Sequence, residues 1–399
     1  MDFGLTQGQR KLQDRCVALA ETFLQRSAEH DRDASHPTEN YDRLRAEGFL
    51  ALTVPTSYGG QGHSFLDHTI AYEALGQGCP ATALAFNMHA SVVMPLLESP
   101  EVTDDTKQYV ADLVVNKSNM IGGNFSEPGH TSLLGERPLT VTARKIEGGY
   151  SITGRKMFAS MIEATDYVLV LCYPEGATTQ FAGTLLMIPS NASGRTILHD
   201  WDTLGMRATR SDSLVLQDCR VTDRAMVYRS DDIRPFRLSN FSWFWGSYTA
   251  VYLGVAVAAC NELRRTVSGR QPAGYAQPLS YHPDTRRHVA ELTTEIEAAR
   301  LITYRSAWLY DTEGPTPDTT NELFRAKLAV GRAVSNATRI GLTLGGAHGI
   351  YKGTRMEQLF RDGALAELHA PPTDFCLWSI GQHELNLDPN DVLPPMRRL

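Results

Sequence analysis

The residue types able to do chemistry in this chain gather in a few short strings. Toward the end, RDGALAELHAPPTDF (361–375) places His369 eight residues after Arg361 and directly before Ala370. An imidazole exchanges protons near neutral pH, so His369 is a candidate for acid–base work. Glu367 stands three residues before Ala370, nearly one helical turn away, and reads as a solvated helix acid. GRKMFAS (154–160) pairs an aromatic, Phe158, with a hydroxyl, Ser160, and FNMHAS carries a further imidazole, His89. FSEPGHTS (125–132) is a turn-forming string that includes Phe125, Ser126 and Ser132, while LGGAHG (344–349) has two adjacent glycines, Gly345 and Gly346. Glycine pairs let backbone approach a ligand closely. LSNFSWFWGSY (238–248) loads Phe241, Trp243 and Trp245 into one helix start and contains no acid. The three successive aromatics of WFW (243–245) cannot share a helix face, so part of the cluster is core or subunit contact; the rest favours a flat ligand through stacking and burial.

The elements that must position these strings follow from periodicity. From Thr6 to about Leu97 apolar residues recur at helical spacing (Leu12, Cys16, Leu19, Ala20, Phe23), interrupted by SYGGQG at 57–62. From about Met120 the texture changes to short β-branched runs, LTVTARKIEGGYSITGRKMF, DYVLVLCY, TLLMI and DSLVLQDCRV, and alternation at Leu139, Val141 and Ala143 with a turn at Gly148 and Gly149 predicts a hairpin. Helical periodicity returns after Ile233, over 241–267, 282–311, 320–344 and 357–369. The expected fold is therefore α+β in three parts: an N-terminal helical domain (1–119), a central antiparallel β domain (120–232) and a C-terminal helical bundle (233–399).

Composition narrows the function classes. The 399 residues are 42% hydrophobic and 21% charged, with a net charge of −7 spread along the chain. Nothing resembles a basic stripe for nucleic acid. The six cysteines show no CxxC or Cys/His metal spacing, so no metal is expected and reduced core thiols in a cytoplasmic protein are. The start, MDFGLTQGQRKLQDR, has no apolar signal region, and no run reaches the length of a membrane span.

In order and at their spacing, the strings resemble the acyl-CoA dehydrogenase superfamily over nearly the whole chain. The resemblance implies that FSEPGHTS is a flavin-facing loop, giving Phe125, Ser126 and Ser132 to the cofactor, and that Phe158 stacks beside the isoalloxazine while Ser160 meets its edge. LGMRATRSDSLVLQDCRV (204–221) resembles the strand pair closing the β domain. Arg270, in GRQPAG, takes the place of an arginine that reaches the diphosphate of a neighbouring subunit's flavin, and Gly345 and Gly346 form the turn beside the same dinucleotide. Three departures stand out: Ala273 replaces a phenylalanine, Leu342 a glutamine, and the glycine turn has one extra residue before Gly349.

The superfamily's dehydrogenases abstract an α-proton with a carboxylate, and Ala370 stands where that carboxylate is usual. A second branch, the flavin-dependent class D monooxygenases, resembles the chain here instead: it carries a string like FAS at the flavin strand and a histidine eight residues after the arginine of the RD pair. That likeness implies reduced FAD, with O2 adding at flavin C4a, and His369 and Ser160, with His89 third, as hydrogen-bonding catalytic groups. It also implies a separate flavin reductase, a homodimer or homotetramer, and a substrate that is aromatic or heteroaromatic, indole-like or polycyclic, held by Phe241, Trp243 and Trp245. FAD is favoured over FMN because Arg270 and the glycine turn serve the ADP half. The alternatives are an acyl-CoA or acyl-carrier-protein dehydrogenase or oxygenase with a displaced base, and a non-redox binding protein on the same fold.

Overall fold

The architecture comes from a computed structural model that describes residues 4–129 and 139–387. Five helices form the N-terminal part: α1 (Gln7–Asp33), α2 (Thr38–Ala46), α3 (Phe65–Gly76), α4 (Pro80–Glu98) and α5 (Asp104–Val115). Their starts are written in the sequence. Thr6 with Gln9, and Ser64 with Asp67, close reciprocal capping boxes, and Pro80 opens α4 where its missing N–H costs nothing. Every residue of α4 from Pro80 to Leu97 is buried, so this apolar helix is the axle of the molecule.

The central part holds β1 (Ile121–Asn124), β2 (Thr142–Ile146), β3 (Gly149–Ala159), β4 (Tyr167–Pro174), β5 (Gly183–Pro189), β6 (Arg195–Ile197), β7 (Asp212–Thr222) and β8 (Met226–Ser230). They run in the order β6-β7-β3-β2-β4-β5-β8, with β1 beside β4. The expected hairpin is present, β2 pairing β3 around Gly148, whose φ of 72° a side chain would resist. Among the described residues the expected antiparallel pairing joins β2–β3, β3–β7, β4–β5, β5–β8 and β6–β7, while β4 pairs in parallel with both β1 and β2. The alternation at 139–143 showed faces, not strand direction. Val141, Ala143, Ile152, Val170, Leu186 and Leu214 fill a second, smaller core inside this sheet.

The C-terminal part comprises α6 (Arg234–Phe241), α7 (Ser247–Gly269), α8 (Pro283–Glu313), α9 (Pro317–Gly345), α10 (Arg355–Ala364) and α11 (Thr373–Glu384). A π-helical turn at Ser242–Gly246, the SWFWG string, joins α6 to α7. Such turns are rare and cluster at functional sites. It presses Gly246 against Phe65, where an added Cβ would lie 2.7 Å from the ring. The helices are thus N-terminal and C-terminal layers around one large core, with α7 packed on both α3 and α9. Both α4 and the run 234–269 are long and apolar enough to cross a membrane, yet 100% and 89% of their apolar windows are buried in the protein. All six cysteines are free and buried.

Candidate flavin and substrate site

The loop after β1 is tied to β3 by a buried ion pair. Lys156 Nζ lies 2.7 Å from Glu127 Oε1, with both side chains wholly inaccessible. Glu127 also accepts from Thr140 N and Oγ1, each at 2.6 Å, and from Val141 N at 3.2 Å. Desolvation opposes ionisation of Glu127, but the Lys156 charge and these donors overcome it and hold its carboxyl below the usual range. For Lys156 burial wins and pushes its amine down. Lys156 also donates to Phe125 O at 3.1 Å, and Met157 N donates to Ser126 O at 2.9 Å. Phe125 and Ser126 are thereby fixed beside Phe158. Ser132 lies outside the described residues.

Phe158 is set outward by a break in the ladder. The β3–β7 register shifts between Lys156 and Ala159, and Phe158 takes a φ of 58°, uncommon for a residue with a side chain. Its ring is 54% exposed, and the only aromatic ring packed against it among the described residues is Trp201, edge-on at 6.1 Å. A large ring held outward in a strained backbone suits a stacking platform. Asn124, whose Nδ2 donates to Met157 O at 2.8 Å, keeps a buried Oδ1 with no protein partner. Trp201 and Asn124 lie outside every quoted string, which is why sequence reasoning missed them.

Ser160 Oγ lies 2.7 Å from Ser211 Oγ, which lies 2.8 Å from Thr209 Oγ1. His369 belongs to a different network. Its ring stacks on Tyr248 at 4.2 Å and 7°, its Nδ1 lies 3.3 Å from the Tyr252 hydroxyl, and Phe244 meets it edge-on at 6.2 Å. Burial, with help from the Lys327 charge, pulls its pKa down to about 3. Against the expectation of an imidazole exchanging protons near neutral pH, burial favours its neutral form there. The Tyr248 hydroxyl beside it is buried and has no protein partner.

Two other expectations change. His89 accepts from Ile121 N at 3.0 Å and lies 3.1 Å from Leu50 O, so both ring nitrogens serve the main chain, and burial lowers its pKa to about 4. Both nitrogens are therefore engaged within the fold. Trp243 is also spoken for, its Nε1 lying 3.0 Å from Glu98 Oε1, and it packs edge-on to Phe65 at 4.8 Å. Phe241 stacks on Trp245 at 3.8 Å, both buried, and Trp245 keeps an unpartnered Nε1. The aromatics that touch His369 are Phe244, Tyr248 and Tyr252, in the same helical run but unselected, because spacing alone does not say which face meets which loop.

At the far end of α7, Arg270 Nη1 donates to Gly345 O at 2.7 Å, although 75 residues separate them. Gly346 takes a φ of 62°, which side chains resist, and lies so close to the guanidinium that a Cβ there would be 2.8 Å from Arg270 Nη1. Among the described residues no carboxylate pairs with Arg270. A guanidinium held by main-chain carbonyls beside a glycine turn is a setting that suits an anion.

Comparison with known proteins agrees with this arrangement. The acyl-CoA dehydrogenase N-terminal, middle and C-terminal domain models match residues 6–111, 124–219 and 238–369. A putative acyl-CoA dehydrogenase, YdbM of Bacillus subtilis, is 30% identical over 366 residues, covering 92% of this chain and 94% of its own. The fold is shared with butyryl-CoA dehydrogenase from Megasphaera elsdenii (TM-score 0.85, 21% identity, 96% of this chain and 100% of that one). It is shared equally with TdsC from Paenibacillus sp. A11-2 in complex with FMN and indole (TM-score 0.85, 21% identity, 94% and 97%). Three domain models in order, a relative of this identity over nearly the full length, and an outward aromatic platform with an unpaired arginine at a glycine turn lead to one conclusion: the chain belongs to the acyl-CoA dehydrogenase family of flavin-dependent oxidoreductases.

Proposed function

We propose that this protein is a reduced-flavin monooxygenase that hydroxylates an aromatic or heteroaromatic substrate. The observation that carries the reading is the environment of His369. Its neighbours are Phe244, Tyr248 and Tyr252, and its pKa is shifted by burial and by Lys327 with no carboxylate contributing. Abstraction of an α-proton needs a base within hydrogen-bond reach, and among the described residues no carboxylate contacts His369. Glu367 packs over Gly331 of α9, its Cγ 3.3 Å from where a Cβ there would be, and its charge acts on Lys327. Flat rings around His369 favour a flat substrate, and TdsC, of the same fold, is known in complex with indole.

Phe125, Ser126, Phe158 and Ser160 would hold the flavin ring, and Arg270 with Gly345 and Gly346 the diphosphate end of FAD. Bound flavin supplies the redox chemistry with O2, its electrons coming from a separate reductase. The protein's part is to exclude water with the aromatic wall, to orient the substrate against Tyr248 and Phe244, and to offer a neutral N–H from His369 and a hydroxyl from Ser160. The diphosphate of a neighbouring subunit would be met by Arg270, so the working form is a homo-oligomer.

A second reading, desaturation of an acyl thioester, is favoured by the name of the B. subtilis relative. The two separate in one anaerobic experiment. On the proposed reading butyryl-CoA leaves the visible band of the oxidised flavin intact; rapid bleaching by butyryl-CoA alone would establish the dehydrogenase and discard the monooxygenase.

A further inference from the structure

One stripe of the helical run 242–269 surrounds His369. Phe244, Tyr248 and Tyr252 follow one another at helical spacing, so they share a face. Tyr248 covers the imidazole flat, while Phe244 and Tyr252 meet it edge-on at 6.2 and 6.1 Å. The Tyr252 hydroxyl reaches Nδ1 at 3.3 Å, and the main-chain N–H of His369 donates to Leu365 O at 2.8 Å, which fixes where the side chain starts. Tyr252 is 2% exposed, whereas His369 is half-buried.

Two arrangements fit a phenol beside this nitrogen. In one the Tyr252 O–H donates to Nδ1 and the ring proton sits on Nε2; in the other Nδ1–H donates to the Tyr252 oxygen and Nε2 carries a bare lone pair. The second strands a buried O–H, because among the described residues His369 Nδ1 is the one hydrogen-bond partner that hydroxyl has. A buried donor without an acceptor costs more than an acceptor with a spare lone pair. Asp362 faces Tyr252 through its charge alone, its Oδ1 accepting from Met206 N at 2.6 Å, and burial with that charge keeps the phenol protonated and hence a donor. Lys327, which donates to Ala366 O at 3.0 Å, faces the imidazole and disfavours a second proton on it. Nε2 has no protein partner among the described residues, so it is the nitrogen left for a ligand.

We infer that Tyr252 is a positioning residue: its hydroxyl donates to Nδ1 of His369 and so fixes the ring proton on Nε2, making that nitrogen the hydrogen-bond donor offered to the site. A donor there matches an acceptor oxygen and mismatches an N–H or O–H. Phenylalanine at 252 would fill the same space and leave the proton free to move between the two nitrogens. The part this plays in hydroxylation rests on the oxygen chemistry proposed above; the place of the proton does not.

The test begins with nitrogen-15 spectra of the flavin-loaded protein labelled at histidine, with His369→Ala used to assign the ring. The parent is expected to show a protonated Nε2 and an unprotonated Nδ1 shifted by an accepted hydrogen bond, and Tyr252→Phe to remove that shift. A protonated Nδ1 in the parent, or ring signals unmoved by Tyr252→Phe, would overturn the inference, and the parent spectrum decides even where the variant does not fold. The second readout is the share of reducing equivalents recovered in hydroxylated indole. Tyr252→Phe is expected to lower that share about threefold or more, to leave flavin affinity within about twofold, and to have no further effect once His369 is alanine. Equal losses in both backgrounds would mean that Tyr252 does not act through His369, and would overturn it as well. A parent that hydroxylates nothing yet carries the proton on Nε2 would discard the oxygen chemistry and keep the inference.

Discussion

Glu127→Gln is the perturbation whose cost follows most directly from the geometry. It removes the charge 2.7 Å from Lys156 Nζ and leaves that amine, wholly buried, with the Phe125 carbonyl at 3.1 Å. Removing one partner of a buried pair costs about 3–5 kcal/mol, most of it from the stranded charge. Lys156→Met is expected to cost less, about 1.5–3 kcal/mol, because Glu127 keeps its donors on Thr140 and Val141. The double variant, Glu127→Gln with Lys156→Met, strands neither charge and should recover most of the loss. The assay is urea unfolding of all three variants, with hydrogen exchange of the β2 and β3 amides to localise the effect. Flavin affinity should fall with Glu127→Gln, since Ser126 and Phe158 lose their shared anchor. A Glu127→Gln protein within about 1 kcal/mol of the parent, or a double variant no better than the worse single, would show that the pair does not organise this loop.

His68 and His89 give a pH dependence with a definite sign. Burial lowers both from 6.5 to about 4, so the unfolded chain binds the extra protons; stability is full above the unfolded pKa and is lost as pH falls from about 6.5 toward 4. Each should cost about 2 kcal/mol near pH 5, and a urea midpoint flat between pH 7 and about 5 would refute this. Arg270→Ala should weaken FAD binding by about tenfold to a hundredfold while altering the bound flavin's spectrum little, and equal affinity in a fluorescence titration would remove Arg270 from the site. Phe158→Gly should move stability and binding in opposite directions. Relief of the 58° φ is worth about 1 kcal/mol, whereas loss of the ring lowers flavin affinity; a change of the same sign in both would mean the ring is merely structural.

The parts of this molecule legible in the sequence were those encoded locally. Helical stretches, the Gly148 hairpin and the three-part order all follow from period and turn residues, whereas the contact of Arg270 with Gly345 joins motifs that only tertiary structure brings together. The two parallel pairings were not legible, because β4 reaches β1 and β2 by crossovers that alternation does not record. Nor was the fate of individual side chains. His89 and His369 look alike as residues on apolar helical ground, yet one has both ring nitrogens on backbone and the other faces Tyr248 and Tyr252. Trp243 and Phe244 are neighbours in sequence, and the π-helical turn sends one to Glu98 and the other to His369.

The central claim is oxygen insertion by a site that lacks an α-proton base, and labelled oxygen tests it most directly. The flavin-loaded protein, chemically reduced, is mixed with indole under oxygen-18 gas, and the products are analysed by mass spectrometry alongside the hydrogen peroxide released. The account predicts one heavy oxygen atom in hydroxylated indole, with His369→Ala shifting the balance from that product toward peroxide. Peroxide alone, with no labelled product and the same balance in the parent and the variant, would contradict it.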